Sequence, residues 1–233
     1  MGLKPWLMSV EYTIISIGAL SANRLWNESA PVRTAHATIT LVVDGDRTIL
    51  VDPGLPAAVL EARVNERTGK TLADVTDVFC TTLRPAHRRG LAALPHARWW
   101  ASPIEIQTYT AGMTERHDAA DRLESDDAKL HELELELLEH FTPVEDDFTP
   151  QVGLYPLHGA SPGCTGLLLT PPTKTILIAS DAAVTAEHLQ RGQVWGGSHD
   201  TEEALATLTD LLEVADIIIC GHDNLTLAPR PWI

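Results

Sequence analysis

The chain has 233 residues, of which 44% are hydrophobic and 21% are charged, a composition typical of a globular protein with a buried core. Its formal net charge of -15 repels phosphate backbones and anionic lipid surfaces, so nucleic acids and membranes are disfavoured as partners. Three cysteines are too few for a disulfide framework, and no apolar run reaches the ~20 residues of a membrane span. We therefore expect a cytoplasmic protein whose partner is a small molecule.

The first half of the chain predicts mainly strands. "EYTIISIGAL" is rich in β-branched residues, and "ATITLVVDGDRTILVDPG" places two apolar runs around Asp44-Gly45-Asp46, which is a hairpin signal. Residues 57–67 have helical spacing and end near Gly69. "DVFCTT" and "ARWWASP" are further short strands.

The second half of the chain predicts helices and four more strands. "DDAKLHELELELLEHF" alternates like a strand at its centre, but its length and its leucine and glutamate content favour a helix. "VGLYPL", "TGLLLT", "KTILIAS" and "DIIICGHD" predict strands, and "HDTEEALATLTDLLEVAD" predicts an amphipathic helix. Without repeats or a low-complexity linker, we expect a single α/β domain over residues 1–233, with sheets covered by helices.

Histidine and aspartate residues follow several predicted strands at the point where each strand ends. Asp52 follows "TILV", Asp181 follows "TILIAS" and His222 follows "DIIICG", while His87 and His158 come after two further strands. Strand ends are positions where a rigid scaffold presents side chains to loops. Because imidazoles and carboxylates bind zinc, iron and manganese, this pattern predicts a site assembled from distant parts of the chain.

Five short motifs occur in an order that resembles the metallo-β-lactamase superfamily, whose members include glyoxalase II and lactonases. They are "VDPG" at Asp52, "TLRPAH" at 82–87, "LHGASPG" at His158, "ASD" at Asp181 and "CGH" at His222. The resemblance covers about residues 10–225. It implies an αββα sandwich of metallo-β-lactamase type, in which two mixed sheets pack together and helices lie outside.

The most diagnostic motif of that superfamily, His-x-His-x-Asp-His, is altered in this chain. The resemblance places its first histidine at Thr82, its second at Arg84 and its aspartate at Ala86, so that only the last histidine is kept, as His87. Since the first metal site loses both histidines of this motif, we expect that site to be empty. Hydrolysis by a two-zinc centre is therefore not expected.

The second metal site keeps more of its ligands. The resemblance assigns His87, Asp181 and His222 to it, which is sufficient for one zinc, iron or manganese ion. It gives Asp52 the role of supporting the ligands from behind. It matches His158 to a histidine ligand of the first metal site, and because we expect that site to be empty, we expect His158 to be a pocket residue. The alternative is that the same residues form a metal-free hydrogen-bonded cluster.

Arg84 introduces a permanent positive charge where the superfamily has a neutral imidazole. A guanidinium roughly 5 Å from a divalent cation is repelled by roughly 6 kcal/mol at an effective dielectric constant of about 20. Arg84 therefore either points away or replaces the missing metal by pairing with Asp181. There it can hold an anionic group or stabilise an oxyanion, so Arg84 and Asp181 are candidate catalytic residues, and Arg84 and His158 are candidate substrate-binding residues.

These residues leave two main functions open. The first is a hydrolase with one metal that acts on a small ester, lactone or thioester. The second is a non-catalytic, metal-free superfamily member that binds an anionic small molecule or a protein partner; metal-free acid–base chemistry by His158 or His87 is a third alternative. An ion pair between Arg84 and Asp181 favours the second function, whereas Arg84 in solvent beside a metal on His87 and His222 favours the first.

Overall fold

The computed structural model describes residues 9–229, and the strands within this range form two sheets. The first sheet has six strands in chain order: β1 Glu11–Ser16, β2 Ile39–Asp44, β3 Arg47–Val51, β4 Asp77–Phe79, β5 Arg98–Ala101 and β6 Phe141–Pro143. The second has five: β7 Val152–Pro156, β8 Thr165–Leu169, β9 Ile176–Ser180, β10 Ile217–Cys220 and β11 Leu225–Leu227, in the order β11-β10-β9-β8-β7. Both are mixed, since β3 to β6 run parallel to one another, as do β9 and β10, and the remaining pairs are antiparallel.

The two sheets pack face to face because their strands are apolar on both sides. Ile49 and Val51 of β3 pack against Ile176 and Ile178 of β9, while the intervening Leu50 faces the opposite way into a second apolar cluster. This alternation follows from the two-residue period of a strand. A sheet that is buried on both faces needs an outer layer of helices.

Residues 9–229 contain six α-helices: α1 Ala57–Thr68, α2 Pro85–Arg88, α3 Pro103–Arg122, α4 Asp127–Leu138, α5 Ala186–Arg191 and α6 Thr201–Val214. Side chains of α1, α3 and α4 join the cluster on the outer face of the first sheet. Those of α5 and α6 cover the outer face of the second sheet. The predicted αββα fold is therefore confirmed. None of the helices in residues 9–229 combines the length and apolar character that a membrane crossing requires.

Most predicted elements are present in the structure, but one helix that contributes to the site was not predicted. The hairpin β2–β3 turns at Gly45, which has a positive φ of 61°, and the ambiguous acidic segment is helical as α4. Helix α3 was not predicted from the sequence. It begins at Ser102, whose hydroxyl accepts a hydrogen bond from the backbone N–H of Glu105, and Pro103 occupies its first turn.

Candidate functional site

His87, Asp181 and His222 meet at the carboxyl ends of the parallel strands. Nε2 of His87 lies 3.3 Å from Oδ1 of Asp181, and Nε2 of His222 lies 3.1 Å from the same oxygen. All three residues are buried, and one ligand atom from each lies within 4.8 Å of the others. The structure thus brings together three of the residues that the sequence assigned to a metal site.

The second nitrogen of each histidine faces an acceptor, which fixes the direction of the ring. Nδ1 of His87 lies 3.1 Å from Oδ2 of Asp52. Nδ1 of His222 lies 2.9 Å from the carbonyl oxygen of His36 and 3.1 Å from that of Ala19. Such partners hold Nε2 of each ring toward the centre, as they do around metal-ligating histidines.

Asp52 links the two sheets below the cluster. Its carboxylate accepts hydrogen bonds from the backbone N–H of Thr81 at 2.9 Å and from the Thr81 hydroxyl at 2.6 Å. The Thr81 hydroxyl also lies 2.5 Å from Oγ of Ser180 at the end of β9. Asp52 and Ser180 both have positive φ values, 52° and 49°, which are uncommon for residues other than glycine. Such strained backbone is concentrated at functional sites.

The pKa values of Asp181 and His87 depend on each other. Burial alone would raise the pKa of Asp181, but His87 and His222 hold it well below its ordinary value. Burial alone would lower the pKa of His87, yet the carboxylates of Asp181 and Asp52 raise it to about 10. Without a metal, the two carboxylates therefore favour the protonated form of His87.

A single metal ion fits the donor atoms of this cluster. Oδ1 of Asp181 and Nε2 of His87 are buried, and their close contact lacks the geometry of a hydrogen bond, so they have no hydrogen-bond partner within residues 9–229. Buried polar atoms of this kind normally have a partner. Two imidazoles and one carboxylate are a donor set that binds zinc, iron or manganese.

Arg84 occupies the other side of the same carboxylate. Its Nη1 donates to Oδ2 of Asp181 at 2.6 Å, and its Nη2 donates to the carbonyl oxygens of Ala160 at 2.7 Å and Gly197 at 3.0 Å. Its guanidinium also lies over the ring of Trp195, 4.7 Å from the ring centre. Arg84 therefore ties the start of α2 to the end of β9 and to two loops of the second half of the chain.

A family model described as the metallo-beta-lactamase superfamily matches residues 33–222, which contain the whole cluster. The chain belongs to the metallo-beta-lactamase superfamily. No curated protein matches the sequence.

Solved structures of this superfamily share the fold at low sequence identity. A Thermotoga maritima protein assigned provisionally as a metallo-beta-lactamase is 16% identical over 94% of this chain and all of its own, with a TM-score of 0.68. AidC, described as a dizinc quorum-quenching lactonase in complex with a homoserine product, is 15% identical over 97% of this chain and 92% of its own, with a TM-score of 0.65. AiiA of B. thuringiensis, with N-decanoyl-L-homoserine at its active site, is 19% identical over 93% and 94%, with a TM-score of 0.62. At these identities the likeness establishes the fold.

Thr82, at the position predicted for the first superfamily histidine, forms a hydrogen bond that the sequence did not predict. Its hydroxyl donates to Oε1 of Glu105 at 2.6 Å, and the backbone N–H of Leu83 donates to the same oxygen at 3.0 Å. Oε2 of Glu105 accepts from the Ser161 hydroxyl at 2.8 Å and from the Gly163 N–H at 3.0 Å. The buried carboxylate of Glu105 thus holds the "TLRPAH" segment against the 158–164 loop.

A cleft of about 320 Å³ opens above Arg84. Helix α3 forms one wall, and Ser161, Pro162, Gly197 and His199 lie opposite it. Arg84 is 24% exposed at one end of this cleft. Within residues 9–229, none of the three candidate metal ligands lines it; His222 instead borders a separate cavity of about 100 Å³ next to residues 18–20.

His158 lies apart from the cluster. Its Nδ1 is 2.8 Å from the carbonyl oxygen of Pro162, and it is not among the described residues that line the cleft. Within residues 9–229, His158 does not belong to the group of ligand atoms that His87, Asp181 and His222 form. Its role as a pocket residue stays a prediction.

Three residues at or near the candidate site were not identified from the sequence. Glu105 appeared only as part of an acidic segment, His199 was assigned no role, and Trp195 was not considered. The Ser102-Pro103 pair is a helix-start signal that could have identified α3 and hence Glu105. No sequence pattern indicates that Trp195 lies beneath a guanidinium.

Proposed function

We propose that this protein holds at most one metal ion and binds a small anionic ligand beside Arg84, in place of hydrolysis by a two-metal centre. The observation that carries this proposal is the ion pair of 2.6 Å between Arg84 and Asp181. Of the two main functions that the sequence leaves open, this ion pair favours ligand binding over hydrolysis. We also propose that residues 9–229 form a single domain.

Arg84 is suited to replace a metal ion because it supplies a fixed positive charge with several directed donors. A divalent cation would draw together the carboxylate and the loops around it. The guanidinium does so through Asp181, Ala160 and Gly197. A second cation beside it would be repelled by several kcal/mol at an effective dielectric constant of about 20.

The remaining donors leave room for one metal at most. His87, Asp181 and His222 would hold it through the atoms that lie within 4.8 Å of one another. A zinc ion at such a site acts as a Lewis acid and lowers the pKa of bound water. Asp52 would keep His87 oriented toward the ion, and the backbone carbonyls of Ala19 and His36 would do the same for His222.

The ligand is proposed to be anionic because the guanidinium of Arg84, which pairs with Asp181, is also part of the cleft wall. Arg84 is part of the cleft wall and its Nε–H has no partner within residues 9–229. His199 lies at the same end, since its backbone N–H donates to the Ala160 oxygen that Arg84 also binds. A carboxylate or phosphate group placed there would receive charge-assisted hydrogen bonds.

The experiment compares metal content and anion binding in the wild type and in Arg84→Met. Protein purified without chelator is analysed for zinc, iron and manganese, and binding of acetate and inorganic phosphate is measured by calorimetry. We expect no more than one metal per chain in the wild type, weak anion binding, and loss of that binding in Arg84→Met. Arg63→Met removes an exposed arginine on α1 and is the matched control. Two metals per wild-type chain, or equal anion binding in both arginine variants, would reject the proposal.

A second candidate function is a hydrolase with one metal that acts on a small ester, lactone or thioester. It is favoured by the unpartnered Oδ1 of Asp181 between two imidazoles and by the fold shared with AidC and AiiA. Hydrolysis of p-nitrophenyl acetate and γ-butyrolactone by zinc-loaded protein tests it. Turnover that follows zinc content and disappears in His222→Ala would favour this function, and no turnover at full zinc loading would remove it.

A further inference from the structure

One face of helix α3 lines the whole length of the cleft above Arg84. Residues spaced by three and four positions form this face, as expected for a helix: Glu105, Thr108, Tyr109, Gly112, Met113 and Arg116. Glu105 lies at the Arg84 end, because it binds the backbone N–H of Leu83. Arg116 lies three turns away, roughly 16 Å along the helix axis. The cleft therefore has an arginine at each end.

The middle of this face contains a glycine that the fold does not require. Gly112 has no positive φ, and a Cβ added to it would meet no atom within 4 Å. Other glycines near the site are explained by contacts; a Cβ at Gly163, for example, would lie 2.1 Å from the backbone nitrogen of Glu105. Glycine in a helix interior is destabilising relative to alanine. Since no packing contact explains Gly112, we infer that the open space beside it serves a ligand.

The charges of the cleft indicate what its two ends can hold. Among the residues of the described range 9–229 that line it, Glu105 is the one acidic residue, and both of its oxygens already accept two hydrogen bonds each. Arg116 is exposed, and long side chains of a helix lean toward its N-terminus. We therefore expect the guanidinium of Arg116 to extend back along the cleft toward its Arg84 end.

We propose that the cleft binds an elongated dianion, with one acid group at Arg84, an apolar stem across the gap at Gly112, and a second acid group at Arg116. This inference rests on the proposed function, because it uses Arg84 as the site of the first acid group. Beyond the proposed function, the inference specifies the length of the ligand, its second charge, and Gly112 as the residue that leaves space for the apolar stem. Tyr109 and Met113 provide apolar contacts on either side of the stem.

Matched pairs of linear acids test the proposal on the full chain. Calorimetry at low salt compares adipate, pimelate and suberate with hexanoate, heptanoate and octanoate. We expect at least one diacid to bind about threefold or more tightly than the monoacid of equal length, as an added rim ion pair provides. Arg116→Gln should remove this difference, while Arg122→Gln, an exposed arginine near the end of the same helix, should keep it.

Substitution of Gly112 tests whether the apolar stem of the ligand occupies the open space beside this residue. Gly112→Phe should abolish binding of the diacids, whereas Gly112→Ala should keep most of it and raise the melting temperature by about 2–4 °C. Equal affinity for diacids and monoacids, or unchanged diacid affinity in Gly112→Phe with a folded far-ultraviolet spectrum, would overturn the inference. If neither series binds but acetate and phosphate still depend on Arg84, the inference fails and the proposed function stands. If diacids bind equally well to Arg84→Met, both fail.

Discussion

The two oxygens of the Asp181 carboxylate face different partners: Oδ2 accepts from Arg84 at 2.6 Å, and Oδ1 lies 3.1 Å from Nε2 of His222 and 3.3 Å from Nε2 of His87. In the sequence pattern of the superfamily this aspartate is the residue shared by two metals. Here one of its sides is bound by a guanidinium and the other keeps a donor set for one ion.

Removal of the Arg84 charge is expected to destabilise the fold. Arg84→Met breaks the ion pair with the buried Asp181, leaves the carbonyl oxygen of Gly197 without its Arg84 donor, and leaves that of Ala160 with the His199 N–H alone. We expect the free energy of unfolding in urea to fall by about 2 kcal/mol. Arg63→Met, on the exposed face of α1, should change it by less than about 0.5 kcal/mol. Equal losses in the two variants would show that the Arg84 contacts contribute little.

Glu105 is expected to be essential for the loop that faces Arg84. In Glu105→Gln one carboxylate oxygen becomes an amide NH₂, so two of its four donors lose their acceptor. We expect a loss of about 2 kcal/mol in unfolding free energy, together with faster proteolysis near residues 158–164. Glu115→Gln, exposed on the same helix, should have neither effect. A Glu105→Gln variant as stable as the wild type would contradict this role.

Restoring the superfamily motif is expected to restore metal binding at the first site. The triple variant Thr82→His, Arg84→His and Ala86→Asp supplies the missing ligands and removes the cation, so metal content should rise above that of the wild type. Elemental analysis of the folded variant measures this. If the variant folds and its metal content stays unchanged, the assignment of the motif to residues 82–87 is wrong.

The strands and the metal-ligand candidates could be predicted because they depend on local patterns, whereas the αββα arrangement was implied by the resemblance to the superfamily. Short apolar runs predict strands, and polar residues directly after them predict side chains at one edge of the sheets. His87, Asp181 and His222 were found in this way, and so was Asp52, which contacts His87 as the resemblance implied. The helix at 127–138 was also predicted, because its leucine and glutamate content outweighed the alternation at its centre.

The cleft could not be predicted because it depends on which segments face each other across the fold. Glu105 lies in an acidic stretch that looks like a solvated surface, yet its carboxylate is buried by two loops that supply four donors. His158 matched a superfamily histidine in order along the chain, but its ring pairs with Pro162. Sequence order fixes which strand a residue follows, whereas the rotamer and the loop path decide where its side chain points.

Stability is expected to decline as the pH falls below about 6.5 because of His188. Burial lowers the pKa of His188, the Glu187 carboxylate opposes this, and Arg191 adds to it. Between the lowered folded pKa and the ordinary value of 6.5, the unfolded chain binds more protons than the folded chain, so stability rises with pH in that window. Urea unfolding of His188→Gln between pH 5 and pH 7.5 should show a smaller slope than the wild type. An identical slope would exclude His188 as its source.

Zinc titration of the wild type and Arg84→Met, after removal of bound metal, tests the replacement of a metal by Arg84 most directly. If the guanidinium takes the place of one cation and repels another, the wild type binds at most one zinc per chain, and Arg84→Met binds zinc at least about tenfold more tightly, the equivalent of about 1.4 kcal/mol of relieved repulsion. Arg63→Met should behave like the wild type. Two zinc ions per wild-type chain, or the same zinc affinity with and without Arg84, would contradict the account.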